Sequence, residues 1–197
     1  MRFVPCRLIT TIWLVSDTSS SRAGPVRLRP RTEADTEVLY QVAADLDTWE
    51  ERGPSSPTTL TQSAYRSRLA EADSDATVRF VVDVGGVPVG SISLSGFDQL
   101  ARHAEVGVAL ATDARGQGIG TAAIVQLVEF AFVRCNLRRL HLEVIESNRG
   151  AIRAYQKAGF VIEGRQREHA WVRGRYEDIL RMGLLRSDWE NSRSADD

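Results

Sequence analysis

Cysteine is scarce in this chain, which has only Cys6 and Cys135 among 197 residues. Two cysteines cannot form a disulfide framework, and a chain of this length buries enough apolar surface to fold without covalent cross-links. Such cysteine usage is typical of a protein of the reducing cytoplasm. The histidines are isolated from cysteines and from carboxylate clusters, so we expect no metal site.

Long apolar runs and an excess of charge of one sign are also missing. No stretch approaches the roughly 18 consecutive apolar residues of a membrane-spanning helix, and the short apolar run after Arg7 is interrupted and lacks a clear cleavage site. Lys and Arg number 25 against 26 Asp and Glu, which leaves a net charge of -1. We therefore expect neither a membrane nor nucleic acid as the partner.

The length corresponds to one domain with short appendages. Composition predicts a flexible N-terminal extension over residues 1–24, a folded domain over 25–189 and a disordered tail over 190–197. Within the domain, apolar residues repeat every two residues in the predicted strands and every three to four in the predicted helices, the second of which runs from Gln62 to Ala72. The predicted order is βααβββαβαββ, an α/β (α+β) arrangement.

A glycine-rich turn, Arg115-Gly-Gln-Gly-Ile-Gly120, stands between a predicted strand and a predicted helix. Alternate glycines let the backbone approach a ligand closely, and the helix N-terminus adds partial positive charge, so such a turn binds phosphate. Arg115 would add a charge-assisted contact. A nucleotide-dependent oxidoreductase fits poorly, because Thr121 stands where a dinucleotide-binding turn has its third glycine.

Three blocks of sequence resemble the GCN5-related N-acetyltransferase (GNAT) superfamily. Residues 115–120 match the family's acetyl-coenzyme A loop, Arg/Gln-x-x-Gly-x-Gly/Ala, and residues 148–160 match its Asn-x-x-Ala…Tyr-x-Lys-x-Gly-Phe signature. A third block, within residues 163–182, is similar to the branch that contains ribosomal-protein alanine/serine N-acetyltransferases and spermidine N-acetyltransferase. The resemblance spans roughly residues 25–189.

The resemblance implies a GNAT-like fold, with a mixed, largely antiparallel sheet that is splayed between the strands near residues 105–112 and 139–146. It also implies acetyl-coenzyme A as co-substrate, with pantetheine along the first of these strands and pyrophosphate at the glycine-rich turn. The implied cofactor-binding residues are Val108, Ala109, Leu110, Arg115, Gly116, Gln117, Gly118, Ile119, Gly120 and Asn148.

Acetyl transfer to an amine requires a proton acceptor and, for the departing thiolate, a proton donor. A primary amine with a pKa near about 10 is mostly protonated at neutral pH, so a carboxylate or a water chain must accept a proton. Glu105 is the candidate base, although a solvated edge glutamate would look the same in sequence. Tyr155 matches the family's general acid, and the resemblance favours this role, or positioning of the thiol, over a merely buried aromatic.

The acceptor amine stays open between a protein N-terminus and a small molecule such as a polyamine or an amino sugar. The acidic segment from Asp45 to Glu51, around Trp49, is either solvated surface or a cation-attracting rim, whereas the branch resemblance favours a protein N-terminus. Trp171 and Tyr176 are compatible with core packing or with a homodimer contact. The alternative function is an acyl-coenzyme A-binding regulatory module without turnover, against which Tyr155 argues.

Overall fold

The computed structural model describes residues 24–46, 59–72 and 77–194. Most of the predicted N-terminal extension, most of the acidic segment around Trp49 and residues 195–197 lie outside the described residues. Helices occur at α1 (Thr36–Ala44), α2 (Gln62–Ala72), α3 (Ile119–Glu129), α4 (Arg149–Lys157) and α5 (Arg186–Ser194). A π-helical turn, Phe130–Arg134, extends α3. Within the described ranges, none of the helices has the length and apolar character that a membrane span requires.

The strands of the described residues form one seven-stranded sheet in the order β1-β2-β3-β4-β5-β7-β6. Every neighbouring pair is antiparallel except β4 and β5, which are parallel, so the predicted mixed, largely antiparallel sheet is confirmed. Their bounds are β1 (Val26–Arg29), β2 (Val78–Val84), β3 (Val87–Asp98), β4 (His103–Leu110), β5 (Arg139–Ile145), β6 (Val161–Val172) and β7 (Arg175–Leu185).

The C-terminal helix is an addition to the predicted order. Residues 190–194, predicted to belong to a disordered tail, form the second half of α5. Trp189 explains the difference, because its indole ring packs against the buried Phe132 with a centroid separation of 5.5 Å. An aromatic side chain of this size buries enough apolar surface to hold a short helix on the domain.

The main hydrophobic core lies between one face of the sheet and helices α3 and α4. Alternate strand residues such as Phe80, Val82 and Leu140 point into it, as the period of two in a strand requires. Helix α1 covers the opposite face at β3 and contacts α2. The helices of the two faces therefore approach the strand ends from opposite sides.

Strands β4 and β5 pair only at their first residues. The ladder joins His103 to Arg139, Ala104 to Leu140 and Glu105 to His141, and it stops there. Strand β3 nevertheless pairs with β4 as far as Leu110, and β7 pairs with β5 as far as Ile145. The two strands therefore diverge over residues 106–110 and 142–145, which confirms the predicted splay.

An ion-pair cluster joins β1 to the turn that precedes α1. Arg29 donates from Nη1 and Nη2 to the two carboxylate oxygens of Asp35, at 2.8 and 2.7 Å, and from Nε to Asp83 Oδ2 at 2.8 Å. The backbone N–H and the hydroxyl of Thr32 donate to the same Asp35 carboxylate. The guanidinium therefore holds the pKa of Asp35 well below its usual range. The cluster fixes the start of α1 against the sheet.

Candidate active site

A cavity of about 630 Å³ lies where β4 and β5 separate. Strands β3, β4 and β5 contribute to its walls, together with the glycine-rich turn and α4, and α1 and α2 close it on the other face of the sheet. All of the predicted site residues line it except Gln117 and Ile119: Glu105, Val108, Ala109, Leu110, Arg115, Gly116, Gly118, Gly120, Asn148 and Tyr155. The fold thus gathers distant parts of the sequence into one site.

The side chains of the two exceptions point elsewhere. Ile119 is only 3% exposed and belongs to the main core. Gln117 donates from Nε2 to the carbonyl oxygen of Asp113 at 2.6 Å. A contribution of either residue to the cavity is therefore limited to its backbone N–H.

The glycine-rich turn depends on backbone conformations that other residues adopt only with strain. Gly116 and Gly118 have φ values of +73° and +81°, and Gly118 is the N-cap of α3. A Cβ added at either position would meet no atom within 4 Å, so packing does not impose these glycines. The N-terminal turn of α3 lies at the cavity, where its first N–H groups lack intrahelical acceptors. Arg115 stays beside the turn because its Nε donates to the Leu110 carbonyl oxygen at 3.1 Å.

Helix α4 places two of the predicted residues on the same face, about two turns apart. Asn148 is the N-cap, and its Oδ1 accepts a hydrogen bond from the Ala151 N–H at 3.1 Å. Tyr155 is only 6% exposed, and its ring packs edge-on against Phe160 with centroids 5.8 Å apart. Burial raises the pKa of Tyr155 to about 12, so the phenol is protonated at neutral pH and can donate a hydrogen bond.

Glu105 is the last residue of β4 that pairs with β5 before the splay. Its side chain is exposed and lines the cavity. His141 lies opposite it in the ladder, and the rings of His141 and His103 meet at a centroid distance of 5.0 Å. Burial, followed by the neighbouring His103, lowers the pKa of His141, which keeps this imidazole neutral at pH 7.

No group of three or more His, Cys, Asp or Glu side chains suited to holding a metal ion occurs among residues 24–46, 59–72 and 77–194.

Sequence reasoning missed the polar wall of the cavity on the α1 and α2 side. Alternation along β2 and β3 places Arg79, Ser91 and Ser93 on one face of the sheet. Only the packing of α2 shows that this face borders a cavity. Glu143 is engaged by Arg181, whose Nη2 donates to Oε1 at 2.9 Å. The residues of this wall are Tyr65, Arg68, Arg79, Ser91, Ser93 and Glu143.

Trp171 and Tyr176 form an exposed pair at the end of the β6–β7 hairpin. They are 57% and 66% exposed, and their ring planes are inclined at 70° with a centroid distance of 4.8 Å. The core-packing interpretation is therefore wrong, and neither residue lines the cavity. The homodimer contact stays a prediction.

Comparisons with known proteins agree with this geometry. The acetyltransferase (GNAT) domain family matches residues 26–161, a range that includes every predicted site residue. Spermidine N(1)-acetyltransferase of Vibrio cholerae is 32% identical over 118 residues, which cover 59% of this chain and 68% of that protein.

Two solved structures share the fold. Spermidine N-acetyltransferase of Vibrio cholerae, in complex with CoA and spermine, superposes with a TM-score of 0.75 at 25% identity, over 84% of this chain and 98% of that chain. RimJ of Mycobacterium smegmatis, in complex with CoA-disulfide, has a TM-score of 0.74 at 24% identity, over 85% and 86% of the two chains.

Proposed function

The chain belongs to the GNAT acetyltransferase family and is an acetyl-coenzyme A-dependent N-acetyltransferase, and from this premise we propose that the cavity between β4 and β5 is the site of transfer to a primary amine. The observation that carries the proposal is the splay itself. It opens a cavity along an unpaired strand edge, with a glycine-rich turn at one end and a buried phenol in its wall.

The chain's own residues fit the cofactor. Between residues 106 and 110, β4 has no strand partner on the β5 side, so its backbone can bond the amides of a pantetheine arm as it would a neighbouring strand. Val108, Ala109 and Leu110 are the residues assigned to this contact. The N–H groups of residues 115–120 and the Arg115 guanidinium would hold the pyrophosphate at the N-terminus of α3.

Glu105 is assigned as the group that receives the proton of the amine, directly or through water. It lies at the closed end of the splay and lines the same cavity as Val108, the residue assigned to the thioester end of the cofactor. Its exposure to solvent provides an exit for the proton. Asn148, at the start of α4, is assigned to the cofactor near its thiol end, a role compatible with its cap bond through Oδ1.

Tyr155 is assigned as the hydrogen-bond donor to the departing sulfur. Its pKa of about 12 lies above that of a thiol, about 8.5, so complete proton transfer to the thiolate would be uphill by roughly 3.5 units. A hydrogen bond avoids that step while it stabilises the developing negative charge. Among the described residues, the Tyr155 hydroxyl forms no hydrogen bond that would compete with the sulfur, and Tyr155 lines the cavity.

The decisive experiment measures free thiol released from acetyl-coenzyme A by the purified protein. Polyamines, amino sugars, amino acids and short peptides with Ala or Ser N-termini would be supplied as acceptors. The proposal predicts thiol release that depends on one of these classes and an acetylated product of the added mass. Tight acetyl-coenzyme A binding without release on any amine would instead support the regulatory module.

Cellular location and assembly belong to the same proposal. The low cysteine content supports the cytoplasm. The exposed Trp171 and Tyr176 support a contact between two copies of the chain. Sedimentation of the wild type and of Trp171→Ser tests the contact: a dimer that the substitution dissociates agrees with it, and a monomeric wild type contradicts it.

A further inference from the structure

The charges at the acceptor end of the cavity indicate which amines the site takes, an inference that rests on the proposed function. The glycine-rich turn and residues 108–110 are assigned to the cofactor, so the acceptor end lies toward the start of β4, at Gly107 and Glu105. The lining residues around this end come from β2, β3 and α2.

Arg79 lines the cavity on the face of the sheet that also includes Ser93 and Gly107. In the sheet register, Arg79 of β2 pairs with Ser93 of β3, and Ser93 pairs with Gly107 of β4, the strand that borders the splay. Two strand spacings place the Arg79 backbone about 10 Å from Gly107. The residues between are small, and a Cβ at Gly107 would already lie 3.1 Å from the Ser93 hydroxyl. The register thus places the small Ser93 between Arg79 and Gly107 on this face of the sheet.

Arg79 and Glu105 both line the cavity, and their charges are available for a ligand. Within the described residues, no carboxylate forms an ion pair with Arg79, whereas Arg29 is paired with Asp35. Glu143, a second carboxylate in the wall, is paired with Arg181 at 2.9 Å. The described acceptor end thus has a carboxylate, Glu105, near the splay, and two guanidinium groups, Arg79 of β2 and Arg68 of α2, in the wall farther from it.

We propose that the acceptor is an amine that carries a carboxylate a few bonds away, with Arg79 binding that carboxylate while the amine lies beside Glu105. A free α-amino acid and a peptide with an acidic residue next to its N-terminus both have this chemistry. A polycation such as spermidine would bring a second ammonium group toward the guanidinium, which like charges oppose. Arg79 is thereby a specificity-determining residue.

The test compares acceptors with and without the carboxylate, and kcat/KM is calculated for the neutral amine because loss of the carboxylate also lowers the pKa of the α-amine. One arm uses alanine and alaninamide, the other uses the peptides Ser-Glu-Ala-Ala and Ser-Gln-Ala-Ala, and spermidine serves as the cation. A charge-assisted hydrogen bond strengthens binding by about tenfold or more. We therefore expect kcat/KM to be about tenfold higher for the acceptor with the carboxylate in one of the two pairs. The pair that shows the preference tells whether the acceptor is a free amino acid or the N-terminus of a peptide.

Three variants connect that preference to Arg79. Arg79→Gln is expected to bring the paired acceptors to within about twofold of each other with the KM for acetyl-coenzyme A unchanged, and Arg79→Lys to retain most of the preference. Arg27→Gln, the same change at an exposed position on β1 that does not line the cavity, is expected to leave the preference intact.

Each result decides the matter. Equal rates within both pairs, faster acetylation of spermidine than of either carboxylate, or an unchanged preference in Arg79→Gln would overturn this inference while acetyl transfer itself upheld the proposed function. Loss of the preference in Arg27→Gln as well would also overturn it, since a general charge effect would then suffice. Failure of every amine would overturn the proposed function and this inference with it.

Discussion

Replacing Tyr155 with phenylalanine removes a single oxygen from the cavity wall and leaves the packing of α4 in place. The ring keeps its edge-on contact with Phe160, at a centroid distance of 5.8 Å. Because the described residues offer the hydroxyl no hydrogen-bond partner, Tyr155→Phe leaves no buried group unsatisfied. We expect the free energy of unfolding to change by less than about 1 kcal/mol.

The expected kinetic effect follows from the charge on the sulfur. A hydrogen bond to a charged group contributes about 1.5–3 kcal/mol, which corresponds to a fall in kcat of about 10- to 150-fold when it forms only as the thiolate departs. The Kd for acetyl-coenzyme A should change by less than about twofold, because the intact thioester carries no such charge. With a pKa of about 12, Tyr155 should also cause no loss of rate up to about pH 10.

The assay combines thiol release at saturating substrates with calorimetric titration of acetyl-coenzyme A. Tyr176→Phe is the matched control, since Tyr176 is 66% exposed on β7 and does not line the cavity. A Tyr155→Phe enzyme that keeps more than half of the wild-type kcat would refute the assigned role. A parallel loss of cofactor affinity would also refute it, because the hydroxyl would then act in binding.

Three further perturbations separate cofactor binding, proton transfer and stability. Gly118→Ala and Gly174→Ala each introduce a Cβ at nearly the same φ, +81° and +82°, with no atom within 4 Å. Both substitutions should therefore destabilise the fold by about 1 kcal/mol. Only Gly118→Ala should also raise the KM for acetyl-coenzyme A. Equal KM values in the two variants would contradict a phosphate-binding turn. Glu105→Gln should lower kcat/KM about 10- to 100-fold at pH 7 and less at pH 9.5, where more of the amine is already neutral, and a pH–rate curve identical to that of the wild type would exclude Glu105 as the base. Arg29→Met should lower the free energy of unfolding by about 3 kcal/mol. This is the lower end of the destabilisation caused by breaking a buried ion pair, because the Arg29 side chain is 31% exposed. Because folding lowers the pKa of Asp35, the carboxylate stabilises the fold fully above its ordinary value of 3.8. This stabilisation is lost progressively as the pH falls from there toward the lowered pKa, so Tm should drop faster below pH 4 in the wild type than in Arg29→Met.

Features that depend on a few neighbouring residues were predicted well from the sequence. The predicted helix from Gln62 to Ala72 has those bounds in the structure. Gly159, two residues after the end of α4, has a φ of +97°, the left-handed conformation in which a glycine at this place in the sequence commonly ends a helix. The element order and the position of the splay follow from local periodicity together with the family resemblance.

Features that depend on strand register could not be predicted in this way. Arg29 and Asp83 are 54 residues apart, and only the pairing of β1 with β2 brings them together. Arg139 on β5 binds Glu163 on β6 across the intervening strand β7. The contact passes over Gly183, where a Cβ would overlap the Glu163 carboxylate. Such contacts need the complete sheet order, which no local pattern contains.

The splay also leaves an open β-edge in the interior of the sheet rather than at its margin. Over residues 106–110, the β4 backbone offers hydrogen-bonding groups that another extended chain can use as a template. In the proposed complex the pantetheine arm of acetyl-coenzyme A would occupy this edge, and a ligand at 100 times its Kd stabilises the folded state by about 2.7 kcal/mol. The proposed binding mode therefore predicts that acetyl-coenzyme A, by covering this edge, reduces edge-to-edge aggregation of the protein.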